Sequence, residues 1–239
     1  MPIRHARPAR REPPGPRVRR STRLLRSRAA RLLGAEARAL GRDVERSRVL
    51  ARYLPSNAVG AEIGVHKGRF TQHLLETLRP TRLQLIDPWY LDGLEWTWGG
   101  GDRSTTNALA AIIQRYSSEL ASNQLVLDIG YDLEVLSSVD DGTFDWVYLD
   151  STHQYEHTLA ELRLLRAKVK PGGFISGDDW RIDPAHKHHG VCRAVRELVE
   201  AQDLELLYAS DEDLQWVVVR LADDAQQVPV TTPCETAPG

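Results

Sequence analysis

The sequence predicts an α/β domain: a parallel sheet with helices on both faces, closed at its C-terminal end by an antiparallel hairpin. Three observations carry this. Between Val59 and Leu221 short apolar runs alternate with longer helical patterns, as strands joined by crossover helices do. Two of those helical patterns sit between consecutive runs, where crossover helices belong. The last two runs are separated only by Asp211, Glu212 and Asp213, a link too short for a parallel crossover, so those strands must form a hairpin.

The elements follow in order. Residues 1–20, MPIRHARPARREPPGPRVRR, combine arginine and proline with almost no apolar side chains. Such a segment cannot bury enough surface to offset the entropy of ordering and is expected to be a disordered tail. Residues 21–56 carry leucine and alanine at mixed three- and four-residue spacing, which predicts N-terminal helices packing on the edge of the main domain. The domain itself spans 57–221. Its candidate strands are VGAEIGV (59–65), RLQLID (82–87), QLVLDI (124–129), FDWVYLD (144–150), GGFISGD (172–178), LELLYAS (204–210) and LQWVVVRL (214–221). Leu109, Ile112, Ile113, Tyr116 and Leu120 make one helical stripe, and Leu159, Leu162, Leu165 and Val169 another. Trp89–Asp102, rich in glycine and tryptophan, fits neither periodicity and is expected to be a long functional loop. Residues 222–239 are expected to be a second loose end.

Composition excludes several classes. Cys192 and Cys234 stand far apart and in no metal-ligand spacing, so neither a disulfide framework nor a zinc finger is indicated, and a reducing cytoplasm fits best. No run approaches the roughly 18 apolar residues of a membrane span, and the N-terminus lacks the apolar core of a secretory signal. Residues 1–52 hold 16 arginines against Glu12, Glu36, Asp43 and Glu45. That basic segment leaves a nucleic-acid contact conceivable, but a solvated extension is the plainer reading. The sequence leaves a homo-oligomer open.

The chemistry collects at strand ends. The first strand runs into AEIGVHKGRF, where Glu62 is followed by Gly64 and Gly68 just before a helix. Glycine permits a sharp turn and a close ligand approach, and a helix start offers free N–H groups. The spacing is not G-x-G-x-x-G, which counts against a nicotinamide dinucleotide. Asp87 ends the second strand, where a carboxylate can accept from both hydroxyls of a ribose. Together these residues describe a nucleoside site without a phosphate cradle. Asp150 ends the fourth strand, and Asp178 with Asp179 ends the fifth. Three carboxylates at adjacent strand ends repel one another unless a cation or raised pKa values relieve them. A divalent ion is the simplest relief, and all-oxygen ligands suit Mg2+. The alternative is acids that cap helices or bind substrate hydroxyls directly. Because successive strand residues face opposite ways, Asp178 and Asp179 could both ligate only if the strand breaks between them. His153, three residues past Asp150, is placed to act as a general base. His157, one helical turn on, is read as a surface or packing residue. His186, His188 and His189 are read as lining a substrate mouth.

EIGVHKG, LIDPW, DIGYDLEVL, FDWVYLDSTHQYEHTLAEL, VKPGGFISGDDW and GVCRAVREL, in that order, resemble class I S-adenosylmethionine-dependent methyltransferases, and most of all the small metal-assisted O-methyltransferases of catechol and macrolide-sugar type. The resemblance covers roughly residues 57–221. It implies a Rossmann-like seven-stranded sheet of five parallel strands and a final hairpin. It implies that Glu62, Gly64 and Gly68 hold the methionine part of the cofactor, that Asp87 holds its ribose, and that Gly130 to Asp132 flank its adenine. It also implies Asp150, Asp178 and Asp179 as Mg2+ ligands, His153 as base, and a small hydroxylated molecule, sugar or phenol, as methyl acceptor; the alternative within the same fold is a metal-free methyltransferase acting on nitrogen or on a macromolecule.

Overall fold

In the computed structural model residues 41–89, 91 and 102–222 are described. From Arg42 onward they belong to one compact unit. The expectations for residues 1–40, for the interior of the tryptophan-rich loop and for the tail beyond Ala222 lie outside the described residues. Helix α1 (residues 41–53) leads to β1 (Val59–Ile63), α2 (Arg69–Leu78) and β2 (Arg82–Asp87). Then follow α3 (Asp102–Arg115), α4 (Ser117–Ala121), β3 (Leu125–Ile129), α5 (Asp132–Ser138), β4 (Phe144–Leu149), α6 (Tyr155–Lys168) and β5 (Val169–Gly177). Helix α7 (His189–Glu200) and the strands β6 (Leu204–Ala209) and β7 (Trp216–Arg220) complete the chain.

The sheet has seven strands in the order β3-β2-β1-β4-β5-β7-β6. The first five are parallel, and β7 runs antiparallel to both β5 and β6. The predicted Rossmann-like sheet with its terminal hairpin is therefore the observed one. Strand β4 shows why the apolar runs were continuous. Trp146 and Tyr148 enter a core shared with α1, α2 and α3. Their neighbours Val147 and Leu149 enter a second core under α5, α6 and α7. A strand buried on both faces has no polar side to alternate with.

Three details differ from expectation. The helical stripe from Leu109 to Leu120 is broken at Tyr116, whose hydroxyl donates to the Gly68 carbonyl at 2.8 Å. That bond pins the chain between α3 and α4, and Ile113 points to solvent at 47% exposure. Val169 opens β5 instead of closing α6: Pro171 disfavours helix at Lys170, and α6 ends at Lys168. Trp89, read as the start of the long loop, is wholly buried and donates through Nε1 to the His66 carbonyl at 2.9 Å, so it belongs to the core.

Candidate active site

The C-terminal ends of β1, β2, β4 and β5 lie side by side, the place where open α/β sheets take ligands. Each is followed by a non-glycine residue of positive φ: His66 (51°), Trp89 (40°), His153 (61°) and Asp179 (57°). Left-handed backbone at a bulky residue is strained and gathers at functional sites.

On the β1–β2 side, Gly64 has φ 83°, and a Cβ there would lie 2.1 Å from the Asp150 carbonyl oxygen. The glycine is required because the first loop passes against the end of β4. Gly68, at φ 62°, is the N-cap of α2. Asp87 accepts three main-chain N–H groups, from Val65 and His66 at 2.9 Å and from Trp89 at 2.8 Å. It therefore ties the two loops together, and burial raises its pKa against those bonds. Glu62 is buried at the end of β1 and accepts from Thr71 Oγ1 at 2.6 Å. Burial pushes its pKa up to about 8. Past β3, Ile129 and Tyr131 flank Gly130 and are exposed at 39% and 46%. Asp132 turns away from them toward His157, 2.7 Å from its Nε2. His157 is thus a link between α5 and α6. These strand ends thus present a glycine-only turn, loops tied together through Asp87 and an exposed apolar pair.

On the β4–β5 side the acids are sorted by a cation. Arg46, 4% exposed on α1, donates to Asp150 Oδ2 at 2.7 Å and to the Tyr148 hydroxyl, and its NH2 lies 3.3 Å from Asp178 Oδ2. The Phe70 ring lies 4.2 Å from the same guanidinium. Arg42 donates to Asp178 Oδ2 at 2.7 Å. Tyr148 donates to Gln215 Oε1 at 3.0 Å, and Gln215 Nε2 donates to Asp178 Oδ1 at 2.7 Å. A closed ring of polar groups results. Burial alone would raise both carboxyls. Arg46, aided by His153, holds Asp150 well below the usual range, while burial and the neighbouring Asp150 keep Asp178 above it.

Strand β5 ends at Gly177, and the turn at Asp179 sends the two acids apart. Asp178 faces Arg42 and Arg46. Asp179 Oδ2 lies 2.7 Å from His188 Nδ1 and 3.5 Å from His153 Nε2. His153 Nε2 meets Asp150 Oδ1 at 3.2 Å, and its ring stacks on His188 with centroids 4.8 Å apart. Burial opposes protonation of His153, but the Asp150 bond and the nearby carboxylates outweigh it and raise its pKa. His189 Nδ1 lies 2.9 Å from the Arg181 carbonyl, and His186 accepts the His188 N–H.

A Mg2+ ion shared by Asp150, Asp178 and Asp179 does not fit these side chains. Both oxygens of Asp178 and Oδ2 of Asp150 are already taken by Arg42, Arg46 and Gln215, and Asp179 faces elsewhere. Among the described residues, ligand atoms within 4.8 Å of one another occur instead in His153, Asp179 and His188, and in Asp132, His157 and Glu161. Sequence reasoning missed Arg46, Tyr148 and Gln215. Gln215, a polar residue inside the apolar run LQWVVVRL, was one available signal.

With this geometry in place, the comparisons identify the class. The model of the methyltransferase-domain family matches residues 61–180, just over half of the chain, and the chain belongs to that family. It is a class I S-adenosylmethionine-dependent methyltransferase by family and fold. Among solved structures it is similar to the N-methyltransferase NodS of Bradyrhizobium japonicum WM9, at 16% identity and a TM-score of 0.53 over 76% of this chain and 98% of that one. A 1,6-didemethyltoxoflavin-N1-methyltransferase of Burkholderia thailandensis, solved with S-adenosylhomocysteine, gives 14%, 0.51, 88% and 93%. A putative rRNA-methylase of Clostridium thermocellum gives 10%, 0.53, 75% and 95%. At these identities the likeness establishes the fold and leaves the acceptor open. Among curated proteins no match is found.

Proposed function

We propose that this enzyme methylates a hydroxyl oxygen of a small hydroxylated molecule, a sugar or a phenol, with His153 as general base. The observation that carries the reading is the His153–Asp150 pair, held where Gly64 brings the cofactor loop against the Asp150 carbonyl. The cofactor supplies the electrophilic methyl group. With Nε2–H given to Asp150, the neutral imidazole keeps its lone pair on Nδ1, ready to take a proton from an acceptor hydroxyl. Asp150, held ionised by Arg46, fixes that tautomer and stabilises the imidazolium. Glu62, Gly64, Gly68 and Asp87 are the groups we assign to the cofactor's methionine and ribose, and Gly130 to Asp132 to its adenine side. Alignment of acceptor oxygen and methyl carbon is the remaining task, and the rigid strand ends supply it.

No helix among the described residues is long and apolar enough to cross a membrane. We place the reaction in the cytoplasm. The test is transfer of labelled methyl to a panel of hydroxylated acceptors, with the methylated atom located in the product. Methyl on oxygen, lost in His153→Ala, supports the proposal. Methyl on nitrogen or on a macromolecule, or an undiminished His153→Ala enzyme, overturns it.

A further inference from the structure

We infer that Arg46 takes the place of a divalent ion at the catalytic acids, so that this enzyme holds Asp150 and Asp178 with a guanidinium of its own and needs no Mg2+ there. The resemblance implies an ion bridging the ends of β4 and β5. In this structure one nitrogen of Arg46 bridges them, 2.7 Å from Asp150 Oδ2 and 3.3 Å from Asp178 Oδ2. The bridge is built in. Nε and the same bridging nitrogen also donate to the Tyr148 hydroxyl, the Phe70 ring lies against the guanidinium, and Gln215 closes the circuit from Tyr148 to Asp178. Arg46, Tyr148, Gln215 and Asp178 are each under a tenth exposed, so this is not a surface pair that solvent screens.

Charge leads to the same conclusion. The two carboxylates face Arg46 and Arg42, both within 3.3 Å of Asp178 Oδ2, so their charge is met by side chains of this protein and their pull on a hard divalent ion is weakened. Arginine suits the task because its planar fork reaches several acceptors at once and never loses its proton. Arg46 comes from α1, which precedes the matched span of residues 61–180. A segment outside the family domain thereby completes the site. Arg46 acts through Asp150 and His153 and is a positioning residue.

The inference rests on the proposed methyl transfer only in its turnover arm, because ion binding is read without any acceptor. Mg2+ is titrated calorimetrically into the native protein and into Arg46→Met, Arg46→Lys and the double variant Arg46→Met with Asp150→Asn. The native protein and Arg46→Lys should take up no ion at millimolar Mg2+. Arg46→Met should gain one site, and Asp150→Asn should remove it. In the turnover arm, EDTA-treated native enzyme should be unimpaired. Arg46→Met should lose about 10² in rate, as when one oriented charge contact is removed, and recover at least tenfold with Mg2+. Stoichiometric Mg2+ uptake by native protein that is lost in Asp150→Asn overturns the inference, as does a folded Arg46→Met that binds no ion. If Arg46→Met does not fold, the native titration alone decides: no uptake supports the inference, and uptake overturns it.

Discussion

Asp87 and Asp150 end parallel strands on either side of β1, yet they are held by opposite means. Asp87 is fixed by three main-chain N–H groups from residues 65, 66 and 89. Asp150 is fixed by side chains, the guanidinium of Arg46 and the imidazole of His153. Arg46 lies 104 positions earlier in the chain. The first arrangement is local and sets loop shape. The second is long-range and sets charge. One strand end is thus held by main-chain donors, and the other by charged side chains.

The two sides should break differently. The largest effect is expected at their junction. In Gly64→Ala the new methyl must displace the Asp150 main chain at a φ that alanine tolerates poorly, which should cost about 3 kcal/mol or more and remove the response to S-adenosylhomocysteine as well. Denaturant unfolding with and without that ligand checks both. On the acceptor side, His153→Ala should slow methyl transfer by about 10² to 10⁴ with cofactor affinity unchanged, and the loss should shrink as pH rises and the acceptor ionises unaided. A parallel loss of cofactor binding would merge the two sides.

On the cofactor side, Asp87→Ala leaves three main-chain donors without their acceptor. It should lower the melting temperature and weaken stabilisation by S-adenosylhomocysteine, with NAD inert in both proteins. A purely pH-dependent effect is expected at Glu62, whose pKa rises from its ordinary 4.5 to about 8 on folding. Across that interval the folded protein keeps a proton that the unfolded chain releases, so stability falls as pH rises from about 4.5 to about 8 and levels off above. Glu62→Gln keeps an acceptor for Thr71 and removes this slope. Its melting temperature should gain on the native protein as pH increases, and an identical pH dependence in both would show that Glu62 is not buried as a neutral acid.

Much of this was legible in the sequence because its causes are local. Two-sided burial makes FDWVYL and RLQLID largely apolar runs without a polar alternation, the short Asp211–Asp213 link forces a hairpin, and strand-end acids collect at one end of the sheet by topology. The break at Tyr116 was not legible, since it depends on a hydroxyl reaching Gly68 across 48 positions. Neither was Arg46. The buried positions on α1 include Asp43, Arg46 and Leu50, so two of those three are charged and apolar periodicity does not mark the face. Three acids announced a need for positive charge, but only tertiary packing says whether an ion or a side chain provides it.

The pH dependence of kcat/KM for methyl transfer, measured for native enzyme and Asp150→Asn, tests the acid–base pair most directly. The native rate should rise through an apparent pKa above the ordinary 6.5 of histidine, the direction in which Asp150 and its neighbours push His153. Asp150→Asn should move that inflection to lower pH. A native profile that is flat through the histidine range, or an inflection that Asp150→Asn leaves in place, would contradict the assignment of His153 and Asp150 as the working pair.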